Sequence, residues 1–355
     1  MSRFLTERLS ALIPYTPGEQ PKDMDKLLKL NTNENPYPPA PGVAELLTMG
    51  EADALRLYPD PDCGRFVRAA ADYNGVRTEN VFPGNGSDEV LAFCFLGLCP
   101  GGAAFPDITY GFYSVCAGLY GVETTIVPLR EDYTINVEDY SGLRGTVFLA
   151  NPNAPTGISL PLPEIEKLLC QDRDRLVVVD EAYVEFGGCT ALPLLERYDN
   201  LLIVRTLSKS HSLAGARLGY ALGSAGLISD LNRMRFSFNP YNINRLSLLA
   251  GAAALKDTDY FSQCRDRIIE SREYTASGLR NLGFKVLDSS ANFVFAGDNP
   301  KITGREYYRR LRETGTLVRH FDGPRTENYV RITIGTQPQM ERLVAVTGMI
   351  LGGGI

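Results

Sequence analysis

Histidine is nearly missing from this chain: only His211 and His320 occur in 355 residues. Neither stands in a cluster of cysteine, histidine and aspartate. A histidine-based hydrolytic triad and a multi-histidine metal site therefore begin without their parts. Excess positive charge is lacking too. Lysine and arginine number 36 against 42 aspartates and glutamates, a net charge of -6, so no basic stripe exists to follow a nucleic-acid backbone. None of the seven cysteines forms a CxxC pair, which reads as scattered reduced thiols in a reducing cytosol. The apolar run VLAFCFLGLC is about half the length of a membrane span. The N-terminal MSRFLTERLS lacks the apolar core of a signal peptide. A cytoplasmic location is expected. Internal repeats and low-complexity tracts are absent.

What is present is a chain long enough for two domains. Residues 1–40 carry IPYTPGEQPKD and LNTNENPYPPAP, whose prolines forbid regular structure and predict an extended arm. From about 63 to 250 short apolar runs alternate with helical patterns. GTVFLANPN, RLVVVDEAY and NLLIVRTLS read as buried strands ending in polar residues, with a helix in LPEIEKLLCQD. That alternation predicts an α/β unit with a mostly parallel sheet and helices on both faces. Ligands bind such sheets beyond the carboxyl ends of the strands. From 251 to 355 the pattern changes to α+β. It holds a long amphipathic helix in DTDYFSQCRDRIIESREYTASGLRNLG, strands in FKVLDSSANFVFAG, TLVRHF and YVRITIG, a helix near 303–314 and a last helix in PQMERLVAVTGMIL. The expected division is an arm, 1–40, that joins the small domain, a large domain, 41–250, and a small domain, 251–355.

Several groups stand where chemistry would need them. Asp180 follows RLVVV, and a carboxylate at a buried strand end is costly without a positive partner. It is a helix cap, a structural ion pair, or a partner for a cationic heterocycle nitrogen, which Tyr183 would also reach. GNGSDEV reads as a tight turn opening a helix. Ser87 or Asp88 would cap it, and its free N–H groups suit an anion such as phosphate. The GxGxxG spacing of a nicotinamide site is not met. In TLSKSHSLAGARLG, Lys209 stands just past a strand end with Ser208 before it and Arg217 eight residues on. That is an ordinary solvated lysine or a Schiff-base nucleophile of lowered pKa.

The order LNTNENPYPP, LYPDPDCGRF, GNGSDEV, PDITYGFY, NPNAPTG, VVDEAYVEF, TLSKSHSLAGARLGY, ANFVF and YVRITIG resembles the fold-type I aminotransferases that use pyridoxal 5′-phosphate. Within them it is most similar to the class II histidinol-phosphate aminotransferase family. The resemblance spans nearly the whole chain and implies a homodimer. By resemblance, Lys209 would hold the cofactor and shuttle a proton, Asp180 would pair with its ring nitrogen, and Tyr183 would bind its phenolic oxygen. Tyr110 would stack on the ring. Gly86, Ser87, Asp88, Thr206, Ser208 and Arg217 would hold the phosphate, and Tyr58 would reach it from the other subunit. Arg331 would receive the substrate anion, with Arg319, Tyr15 and Asn33 finishing the pocket. The family has asparagine directly before PTG, where this chain has Ala154. The expectation is that Asn153 substitutes through a shifted loop; otherwise it shapes the turn only. No metal is implied. The implied reaction passes an amino group from a donor to a 2-oxo acid, with histidinol phosphate and 2-oxoglutarate as substrates. An aromatic amino-acid aminotransferase, a phosphothreonine-type decarboxylase and a non-catalytic ligand-binding homologue are the alternatives on the same fold.

Overall fold

A computed structural model describes residues 4–20, 27–46 and 48–353. Parts of the expected arm, residues 1–3 and 21–26, lie outside the described residues. In chain order the strands are β1 (Leu28–Lys29), β2 (Val81–Gly84), β3 (Ala103–Pro106), β4 (Thr124–Val127), β5 (Thr146–Ala150), β6 (Val177–Asp180), β7 (Leu201–Thr206), β8 (Gly219–Gly223), β9 (Lys285–Val286), β10 (Phe293–Gly297), β11 (Thr316–Leu317), β12 (Arg319–His320) and β13 (Tyr329–Thr333).

The large sheet has seven strands in the order β2-β8-β7-β6-β5-β3-β4. Only β8 runs against its neighbours. The central strands are buried on both faces, so they are mainly apolar runs. Alternate side chains divide between two cores. Val147, Leu149, Val177, Val179, Leu201 and Ile203 meet the helices Gly64–Asn74, Leu162–Gln171 and Arg245–Lys256. Phe148, Val178, Leu202 and Val204 meet Ser87–Gly97, Phe112–Tyr120 and Ala225–Phe238. Burial of each such side chain contributes roughly 1.5–3 kcal/mol, which fixes where the strands stop and their polar ends begin.

The strand β8 passes so close to the helix start that a Cβ on Gly219 would lie 2.4 Å from the backbone nitrogen of Ser87. Only glycine permits that approach, and it carries the preceding turn, with Arg217 at φ 53, over the same helix end.

A second, antiparallel sheet has the order β12-β13-β10-β9. Its core is closed by the helices Thr258–Asn281, Gly304–Glu313 and Gln337–Leu351. These last three match the helices expected from the sequence. Three expectations are corrected. The run FKVLDSSANFVFAG is two strands, because Ser289 turns the chain by donating to Phe293 O at 2.6 Å and accepting from Ala291 N. TLVRHF also divides. The strand β11 pairs with β1, whereas β12 pairs with β13. Finally, the arm is not wholly irregular. Glu7–Ser10 forms one helical turn, in a stretch that precedes the first proline and is tied down by Arg8 Nη1 donating to Leu119 O at 2.5 Å.

Candidate functional site

A cavity opens beyond the carboxyl ends of β5, β6 and β7 and is closed on the other side by β13. Asp180 ends β6 at 4% exposure. Tyr113 Oη donates to its Oδ2 at 3.0 Å and Ala182 N donates to its Oδ1 at 3.2 Å. Burial outweighs those two bonds and pushes the carboxyl up to about 7. Tyr113 was not singled out by sequence reasoning. The available signal was indirect: a buried carboxylate must find donors.

Two residues after β7 ends, Ser208 lines the cavity, followed by Lys209. Lys209 Nζ donates to Thr32 O at 3.0 Å and lies 6.0 Å from the Tyr183 ring centre. Burial first, then the neighbouring Arg331, pulls this amine down to about 8. Tyr183 Oη accepts from Asn33 Nδ2 at 3.0 Å, and burial raises its hydroxyl above the usual range.

At one end of the cavity the helix Ser87–Gly97 begins with Gly86 at φ 80 and no side-chain cap. The expectation that Ser87 or Asp88 caps it is corrected: both lie within the first turn, so the first N–H groups stay open to an anion. A Cβ on Gly86 would stand 2.6 Å from Arg217 Nη2. Arg217 donates to Asp88 Oδ2 at 3.0 Å and to Ser208 Oγ at 3.5 Å. Tyr110 Oη donates to the other oxygen of Asp88 at 2.9 Å. Thr206 lines the same end, its hydroxyl accepting from Ser208 N at 3.1 Å.

At the opposite end, Arg331 Nη2 donates to Asn31 O at 3.2 Å, while its buried Nε has no partner. Burial pulls the Arg331 guanidinium below its ordinary range. Arg319 faces Arg331 directly across β12 and β13, and Tyr15 packs edge-on against Tyr110 at 6.2 Å.

One sequence expectation is not met in this cavity. Asn153 does not line it; Ala154 does. Asn153 Nδ2 donates to Ile108 O and Thr156 Oγ1, and its Oδ1 accepts from Thr109 Oγ1. Its amide is spent on the turn, one residue back from the cavity wall, so it does not substitute for the missing asparagine. Tyr58, expected to serve the site of another subunit, lies outside this cavity, 80% exposed and stacked on Tyr241 at 4.5 Å. The two histidines stand apart from the cavity as expected. His211 stacks on Phe261 and His320 bonds Glu327 O.

Residues 25–346 match the family model described as aminotransferase class I and II. Among curated proteins, the histidinol-phosphate aminotransferase of Pseudomonas putida is 50% identical over 97% of this chain and 99% of its own. That of Brachyspira hyodysenteriae is 46% identical over 97% of this chain and 98% of its own. Among solved structures, the histidinol-phosphate aminotransferase of Sinorhizobium meliloti in complex with pyridoxal 5′-phosphate has a TM-score of 0.88 at 24% identity. It covers 100% of this chain and 99% of its own. The L-threonine-O-3-phosphate decarboxylase of Porphyromonas gingivalis has a TM-score of 0.80 at 23% identity, over 92% of this chain and 100% of its own.

Proposed function

The chain belongs to the class I and II aminotransferases, and within them to the histidinol-phosphate aminotransferase family; from that premise we propose that it uses pyridoxal 5′-phosphate to exchange an amino group between histidinol phosphate and 2-oxoglutarate in histidine biosynthesis. The observation that carries the reading is one cavity lined by a buried amine, a buried carboxylate and two separated arginines: Lys209, Asp180, Arg217 and Arg331.

The residues present fit that cofactor. Open helix N–H groups beside Arg217, over a glycine whose Cβ would block the approach, make a cradle for phosphate. Asp180 is buried without a cation and so suits a protonated ring nitrogen. The chemistry the cofactor supplies when bound is an aldehyde that condenses with amines and a ring that draws electrons from the substrate Cα.

The protein's own groups then divide the work. Asp180 would pair with the ring-nitrogen proton, its carboxylate aimed by Tyr113 and Ala182 N. Lys209 Nζ would take the proton from the substrate Cα; with its pKa near 8, a sizeable share is neutral at physiological pH. Tyr183 would bind the phenolic oxygen, its hydroxyl oriented by Asn33. Tyr110 would pack against the ring. The backbone at Ser87 and Asp88, with Thr206, Ser208 and Arg217, would hold the phosphate. Arg331 receives the substrate anion with Arg319 and Tyr15, and its unpartnered Nε supports that role.

The test is glutamate formation from histidinol phosphate and 2-oxoglutarate, set against phenylalanine, tyrosine and phosphothreonine as donors. Arg331→Gln is expected to raise KM for histidinol phosphate roughly tenfold to a hundredfold, the worth of hydrogen bonds to a charged group. Equal turnover of the aromatic amino acids would remove the substrate assignment. Carbon dioxide release without glutamate would make the protein a decarboxylase.

The expected division at 40 and 250 remains our reading of the domains. One core gathers residues between Ala40 and Leu255, the other mostly residues from Ile268 to Ile350 together with Leu28 and Leu30 of the arm. The proposed assembly is a homodimer in which Tyr58 completes the partner's phosphate site. The exposed Leu55, Leu57, Tyr58 and Tyr241 support it. Light scattering should return twice the chain mass; a monomer at micromolar concentration would remove the shared site. The cytoplasm is the proposed location, in keeping with seven free cysteines. Among the described residues no helix is long and apolar enough to cross a membrane. Recovery of the protein from a secreted fraction would contradict it.

A further inference from the structure

The segment Asn31–Asn35 touches the cavity residues one after another. Asn31 O accepts from Arg331 Nη2 at 3.2 Å, and Thr32 O accepts from Lys209 Nζ at 3.0 Å. Asn33 Nδ2 donates to Tyr183 Oη at 3.0 Å, and Asn35 Nδ2 donates to both Lys209 O and Ser210 O at 3.1 Å. The segment is bolted to the small sheet as well. Asn33 N donates to Thr333 Oγ1 at 2.9 Å, and Asn292 Nδ2 donates to Asn33 O at 3.0 Å. Asn33 takes a φ of 56 to make these contacts, a conformation that asparagine tolerates better than most residues. The carbonyl of Thr32 is thus held in place from both sheets.

The charges around that carbonyl also need an account. Among the described residues, Lys209 has no acid within ion-pair distance. The charged groups that act on it are Arg331 from β13, Glu34 from the segment, Asp88 from the helix start and Arg217 from the turn before β8. Asp88 is engaged by Arg217 and Tyr110. Glu34 is tied to Lys29, whose side chain is 5% exposed and which also donates to Thr32 Oγ1 at 2.7 Å. One acid, Glu34, is therefore paired with Lys29 while its charge favours the protonated amine of Lys209.

We propose that Asn31–Asn35 is a docking site for the free ε-amino group of Lys209, in which Thr32 O accepts its N–H and Glu34 supplies the negative charge that offsets Arg331. In an amino-transfer cycle the lysine nitrogen is free for part of each turnover. An amine adrift beside Arg331 would be driven off by like charge; docked on Thr32 O it stays in reach of the substrate Cα. Glu34 acts through this docking and is a positioning residue, since it touches neither substrate nor cofactor. The inference leans on the proposed function only for that use of the docked amine. The contacts themselves belong to the cofactor-free chain.

The experiment uses cofactor-free, full-length protein. The rate of amine labelling at Lys209 is followed against pH by mass spectrometry of its peptide. Removing the negative charge with Glu34→Gln should move the Lys209 titration down by about one unit. Lys29→Met, which frees Glu34 from its other partner, should move it up. Opposite shifts from two neighbouring variants cannot come from general damage to the fold, and the second variant keeps the test open should the first fold poorly. Curves that coincide with the wild type, or that both shift the same way, overturn the proposal. Because labelling needs no turnover, it stands or falls separately from the donor assay that tests the function.

Discussion

Lys209→Ala is expected to lower kcat by roughly 10⁴-fold or more, since it removes both a covalent anchor and a proton carrier. The structure gives no deputy. Of the described residues lining the cavity, Lys209 is the only lysine. The guanidinium groups of Arg331 and Arg217 donate hydrogen bonds and have no acceptor. The fold should persist, because among the described residues the lost side chain makes one hydrogen bond, to Thr32 O, and water can replace it. Anion binding at Arg331 should persist as well. Two measurements check this. Turnover should collapse, and the visible absorbance that pyridoxal 5′-phosphate acquires on joining a lysine should disappear. An unchanged band would mean that another lysine carries the cofactor.

The second large effect is expected at Asp180, with opposite signs for stability and activity. The carboxyl titrates near the ordinary aspartate value of 3.8 in the unfolded chain and at about 7 in the folded protein without cofactor. Below the lower value it is protonated in both states and costs nothing. Between the two values the folded protein holds a proton that the unfolded chain has released, so stability falls as pH rises. Above about 7 the loss is complete, on the order of a few kcal/mol. Asp180→Asn carries no charge to desolvate. Its oxygen accepts from Ala182 N, and the Tyr113 hydroxyl turns to accept from its amide. The variant without cofactor should therefore melt higher than the wild type near pH 8 and alike near pH 4. Cofactor should narrow the gap, since a ring cation pairs with the wild-type carboxylate only. Turnover should fall roughly 10³-fold, the scale of removing one preorganised electrostatic contact. Equal melting at both pH values would show that Asp180 is solvated rather than desolvated.

The groups at strand ends were legible because the chemistry demands particular residue types there. Asp180 and Lys209 follow apolar runs that had to be buried, and burial makes a charge conspicuous. What escaped notice has a common cause. Thr32 acts through its carbonyl, which every residue possesses, so no side chain announces it. Tyr113 looked like one more core aromatic, and its hydroxyl matters only once Asp180 is placed above it. Asn153 misled for the converse reason. Its position one residue before Ala154 suggested a substitute, but in the turn neighbouring residues point to opposite sides. The split of TLVRHF depended on partners far away in sequence: β1 for its first half and β13 for its second. The short helix at Glu7–Ser10 was hidden by prolines that lie after it.

Arg319 and Arg331 oppose each other because β12 and β13 align them residue for residue. Side chains alternate along a strand, so sliding that alignment by one position would exchange the arginine for its neighbours, Val318 or His320. On the proposed reading, what this enzyme accepts is thus written as an alignment in one small sheet, while how it reacts is written at the strand ends of another. A single inserted residue near Val318 would then be expected to redraw the anion-binding end of the cavity and leave Lys209 and Asp180 in place. Such an architecture would let descent with modification try new substrates without putting the reaction itself at risk.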